Sequence, residues 1–140
     1  MKNDMGEVIF AQADYYGEIT NSIAEARALL QGIELCEAMG FNKIDIEVDS
    51  LMLVQAIKKM TRVPWVIAYE MRMLRTLLQR FEYSIKHVYR ECNKVADLVA
   101  NIGVKEKKHL IFGKESLPKK LIGIVRIDRA GLADLRFVKL

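Results

Sequence analysis

Residues 43–49, Lys-Ile-Asp-Ile-Glu-Val-Asp, alternate polar and apolar side chains without a break and run straight into Ser50 and the apolar cluster Leu51-Met52-Leu53-Val54. Alternation puts Ile44, Ile46 and Val48 on one face of a strand. Asp49-Ser50 then caps a short helix, expected from Leu51 to about Met60. A strand that passes directly into a helix points to an α/β domain, with helices packed on a sheet.

The flanking segments agree. Asn3-Asp4-Met5-Gly6 is a turn signal, followed by a strand pattern over 7–13. Ser22-x-x-Glu25 has capping-box spacing in front of Ile23, Ala26, Leu29, Leu30, Ile33 and Cys36, with Gly40 as the stop. Thr61 to Pro64 breaks the chain. A second long helix follows, with Ile67, Met71, Leu74, Leu78 and Phe81 as its buried stripe. Tyr83 to Tyr89 reads as a strand. Asn93 caps a last helix whose Val95, Leu98, Val99 and Ile102 face the core, closed by Gly103. The expected order is β-α-β-α-α-β-α. Beyond it, Leu121 to Ile127 is strand-like between Pro118 and Gly131.

Composition bounds the function classes. At 140 residues the chain makes about one domain, and 51% apolar residues suffice for a core. No apolar run reaches the ~18 residues of a membrane helix, and the first ten residues do not form a secretory signal. Two cysteines, Cys36 and Cys92, exclude a disulfide framework and a Cys-rich zinc site, so an intracellular setting is expected. Charge is uneven. Residues 1–102 carry 12 Lys and Arg against 14 Asp and Glu, whereas residues 103–140 carry 10 against 4. A basic tail on a slightly acidic body suits an anionic partner; it equally suits a solvated extension. Gly113-Lys114-Glu115-Ser116 lacks the upstream Gly at the required spacing and the Ser or Thr directly after Lys of a phosphate loop.

Three acids stand where the local pattern exposes them: Glu25 early in its helix, Asp49 at the end of a strand, and Asp97 opposite the apolar stripe of the last helix. Each also has a plainer account, as capping-box partner, N-cap and helix-dipole charge respectively. Read together in order, Thr20-Asn21-Ser22-Ile23-Ala24-Glu25-Ala26-Arg27, Ile46-Glu47-Val48-Asp49-Ser50 and His87 through Asp97 resemble the ribonuclease H type 1 family, in its plant reverse-transcriptase-like form. The resemblance covers about Gly6 to Gly103.

This resemblance implies a mixed five-stranded sheet flanked by helices and hydrolysis of the RNA strand of RNA–DNA hybrids. It implies Mg²⁺ held by Glu25, Asp49 and Asp97, in a two-ion arrangement that activates water and stabilises the leaving oxygen. Asn21 and Asn93 correspond to substrate-contacting positions; a turn or cap role is the alternative for each. His87 is read as structural. The family's first two strands, and the catalytic Asp on the first, have no counterpart in the sequence. On the family's 3-2-1-4-5 order, the strand over 7–13 would then lack a neighbour. The expectation is therefore a ribonuclease H-like domain over 1–103, incomplete at its N-terminus as in a truncated product, with a basic extension over 104–140. A catalytically inactive nucleic-acid-binding module is the alternative.

Overall fold

The computed structural model describes residues 1–13, 15, 17, 20–89 and 94–122. Its elements are β1 (Phe10–Ala13), α1 (Asn21–Ala38), β2 (Lys43–Val48), α2 (Leu51–Ile57), a 3-10 turn at Trp65–Ile67, α3 (Ala68–Leu78), β3 (Glu82–His87), α4 (Lys94–Glu106) and β4 (Leu110–Gly113). The expected order is present, with one strand added at its end. Two compact units result, Tyr16–Val88 and Met1–Tyr15 with Tyr89–Leu140.

Within Tyr16–Val88, β2 and β3 pair in parallel, with Ile44 opposite Tyr83, Ile46 opposite Ile85 and Val48 opposite His87. Ile46, Val48 and Ile85 are buried, as alternation requires. The other face of the pair is polar and exposed. There Lys43 meets Glu82 at 2.9 Å, Lys86 meets Glu47 at 2.7 Å, and Ser84 donates to Asp45. The hydrogen bond and charge of Glu47 push the Lys86 ammonium pKa above its ordinary value. Parallel sheets are ordinarily covered on both faces; here matched cross-strand charges let one face meet water.

The core of this unit gathers on α3. Ile67, Met71, Leu74, Leu78 and Phe81, the stripe legible in sequence, are all buried. α1 packs on α3, burying Ala26, Ile33 and Cys36. Burial raises the pKa of the Cys36 thiol, which leaves it a core side chain. α2 ends at Ile57, earlier than expected, with Lys59 in the left-handed region at φ 59° closing it.

In the other unit, the turn at Asn3–Gly6 does have a first arm. The Asn3 side chain accepts from the backbone N–H groups of Met5 and Glu7, and Gly6 takes the positive φ of 72° that the turn needs. Lys2 bridges Val8, and the terminal ammonium donates to the Phe10 carbonyl at 2.7 Å.

Three expectations change in this unit. First, the strand at Phe10–Ala13 is not without a neighbour: β4 pairs with it antiparallel, Ala11 opposite Phe112 and Ala13 opposite Leu110. Edge backbone groups need partners, and Leu110-Ile111-Phe112 is a strand-forming run inside the basic tail. Val8, Ala11, Ala13, Val99 and Leu121 form the buried cluster, with Val95, Leu98, Leu110, Phe112 and Leu117 against it. Second, α4 does not stop at Gly103. That residue is buried within the helix, which continues to Glu106, and Lys107 at φ 51° follows. Third, Leu121 and Ile122 belong to a helical turn started by Pro118, whose carbonyl accepts from both backbone N–H groups. The remainder of the expected strand, 123–127, lies outside the described residues.

The described residues thus hold two two-stranded sheets, one parallel and one antiparallel. No described helix is long and apolar enough to cross a membrane. Replacing the fully buried Leu74 by Ala should destabilise by about 2–5 kcal/mol, read from the urea midpoint. Alternate amides of Leu110–Gly113 should exchange with solvent hydrogen more slowly than the amide of Lys108, which lies in the bend between α4 and β4.

Candidate active site

The start of α1 sits two residues ahead of the position that capping-box spacing implies. Thr20, extended at φ −67° and ψ 150°, is the N-cap, and its carbonyl accepts from the N–H groups of Ile23 and Ala24. Ser22 is therefore the second helical residue and Glu25 the fifth. Asn21 opens the helix and lies one turn before Glu25. Both are exposed and share one face of α1.

Asp49 stands between the last residue of β2 and the N-cap of α2. That cap is Ser50, whose Oγ accepts from Leu53 N–H at 3.5 Å. The plainer account of Asp49 as a capping residue thus passes to its neighbour. Asp49 is half-buried at the C-terminal end of its strand, the end at which α/β sheets place ligands.

Asp97 is the fourth residue of α4, in the turn where a negative charge complements the helix dipole. It is half-buried, and the neighbouring Val95, Leu98 and Val99 pack into the core of its own unit. Glu25 and Asp49 belong to Tyr16–Val88 and Asp97 to the other unit. Among the described residues, no three His, Cys, Asp or Glu side chains form a group that could hold a metal ion. Asn93 lies outside the described residues.

The sequence reading passed over one acid. Glu70, only 4% exposed, sits inside the apolar stripe of α3 and accepts a hydrogen bond from Arg27 Nε at 3.0 Å. Position 70 falls three residues after Ile67 and four before Leu74, so the helical period alone places it among buried side chains. Arg27 follows Glu25 by two residues. The ion pair therefore ties α1 to α3 next to the turn that carries Asn21 and Glu25.

Two solved structures are similar to this chain. Ribonuclease H1 from the halophilic archaeon Halobacterium salinarum NRC-1 shares 29% identity at a TM-score of 0.62, over 67% of this chain and 72% of that one. The N-terminal ribonuclease H domain of a Mycobacterium tuberculosis protein, solved as a fusion with maltose-binding protein, shares 24% at a TM-score of 0.60. It covers 65% of this chain and 67% of its own. No curated protein matches. The fold is accordingly that of ribonuclease H, a mixed α/β domain. The model of the reverse-transcriptase-like family matches residues 1–103, and the chain belongs to that family. This span contains Asn21, Glu25, Asp49, Asn93 and Asp97.

The buried pair predicts an ordering of stabilities. Arg27→Met strands a buried carboxylate and should cost about 3–5 kcal/mol. Glu70→Gln leaves only a guanidinium whose side chain is 44% exposed, and should cost less, roughly 1–2 kcal/mol. Urea unfolding of both variants checks the order.

Proposed function

We propose that this chain is a ribonuclease H-type nucleic-acid hydrolase acting on the RNA strand of RNA–DNA hybrids. The observation that carries the reading is the setting of Asp49. It ends a strand ahead of a helix whose N-cap is already supplied by Ser50, within a chain of the reverse-transcriptase-like family. That leaves its carboxylate for other chemistry.

Glu25, Asp49 and Asp97 suit a divalent cation by donor type, because Mg²⁺ prefers hard carboxylate oxygens and keeps several waters for substrate phosphate to replace. By resemblance each is a candidate ligand, although no three such acids gather into a metal-holding group among the described residues. When bound, the ion supplies Lewis-acid stabilisation of phosphoryl oxygens and a more acidic water. Asn21, exposed one turn from Glu25, offers an amide to the shallow minor groove of the hybrid, where 2′-hydroxyls distinguish RNA from DNA. Asn93 is assigned to the substrate backbone on the family resemblance alone.

A second reading, a nucleic-acid-binding module without cleavage, draws on the basic C-terminal segment. Its strand Leu110–Gly113 pairs with β1, so the cationic stretch from Lys105 to Lys120 is joined to the domain rather than trailing from it.

Incubation of the chain with an end-labelled RNA–DNA hybrid and Mg²⁺ separates the two. The first reading expects cleavage that EDTA abolishes, with Asp49→Asn eliminating cleavage while hybrid retention on filters survives. Cleavage persisting in Asp49→Asn would overturn the assignment. Salt-sensitive retention without cleavage in the unsubstituted chain would favour the binding module.

A further inference from the structure

The turn after α2 and the outer side of α3 carry side chains that the proposed chemistry does not use. Lys58, Lys59, Arg62, Arg72 and Arg75 place five cations within residues 58–75. The acid among them, Glu70, is buried against Arg27, so the accessible charge of this surface is positive.

A cavity of about 350 Å³ opens here, lined by the apolar Val63, Ala68 and Met71, by the guanidinium-bearing Arg72 and Arg75, and by the neutral polar Thr76 and Gln79. Arg75 Nη2 donates to the Ala56 carbonyl at 2.7 Å. Its Nε–H is buried and has no acceptor among the described residues. A buried donor left unpaired costs on the order of 1–3 kcal/mol. Apolar surface extends beyond the cavity. Trp65, Met60 and Tyr69 are 87%, 68% and 60% exposed, and Met73 follows Tyr69 by four residues within α3. Trp, Tyr, Met and Arg are the side chains that concentrate at the centres of protein interfaces.

We propose that this surface binds a short acidic peptide segment of a partner protein. Its carboxylates would meet Arg72 and Arg75, and an apolar side chain would rest on Val63, Ala68 and Met71. Carboxylates accept from guanidinium groups in planar, charge-assisted pairs. Nucleic acid fits less well. A phosphate backbone brings nothing to fill an apolar floor, and the Tyr69 ring already carries the Arg72 guanidinium 5.8 Å from its centroid, so it is not a bare stacking platform. This assignment is independent of nuclease activity.

Trp65, the chain's single tryptophan, lies two residues from the cavity-lining Val63 and serves as the reporter. The probe is the peptide acetyl-Glu-Asp-Asp-Leu-Phe with a free carboxylate terminus, titrated into the full chain at low salt. A saturable shift of Trp65 emission is expected, weakened about tenfold or more by Arg72→Gln and by Arg75→Met. Arg72 is exposed, so its substitution keeps the test valid where loss of the Arg75–Ala56 hydrogen bond disturbs folding. The neutral peptide amide acetyl-Gln-Asn-Asn-Leu-Phe should bind correspondingly less. No saturable shift, an equal response to the neutral peptide, or an unchanged affinity in Arg72→Gln overturns the proposal. So does a thymidine oligomer that competes for the same response more tightly than the peptide, an outcome that would give the surface to single-stranded nucleic acid.

Discussion

The unit Tyr16–Val88 depends on one helix. α3 buries Met71, Leu74 and Leu78 on a single stripe, continued by Ile67 in the preceding turn, and α1 and α2 both pack against it. A helix of eleven residues is marginal by itself in water, so its stability comes from that stripe. The same packing constrains chemistry. Glu70 enters the stripe as a charge, which is tolerable because Arg27 reaches it from α1. The orientation of α1, and with it the face bearing Asn21 and Glu25, is thereby coupled to the core rather than left to surface contacts.

The elements with strong periodicity were legible in the sequence: the α3 stripe, the alternation of β2, the pattern of β3 and the helix after residue 93. Period follows directly from which side chains must leave water, and it survives changes in context. What failed was punctuation. Ser22 and Gly103 have the chemistry of helix boundaries, yet Thr20 starts α1 and α4 runs on past Gly103. Capping propensity is worth about 1 kcal/mol, less than packing can override. The pairing of β4 with β1 was not legible because strand partners are a tertiary choice. Nothing local in Leu110-Ile111-Phe112 names Phe10–Ala13 as its mate.

The candidate carboxylates divide in the same way. Asp49 was found from a local junction, strand into helix, and the structure places it there with its capping alternative taken by Ser50. Glu25 keeps an exposed position although the reason first offered for its placement, a capping box beginning at Ser22, changes with the helix start. The helical period puts Glu70 inside the α3 stripe, but only its partner, 43 residues away, accounts for an acid there.

The β1–β4 pairing joins segments about a hundred residues apart. On a ribosome, the first strand emerges long before its mate has been synthesised, and loop closure over that separation is entropically slow. While the intervening residues are being made, β1 lacks this partner, the kind of nascent edge that chaperones bind and that aggregates when they do not. Assembly of this unit is therefore a late event, completed only after nearly the whole described chain has left the exit tunnel.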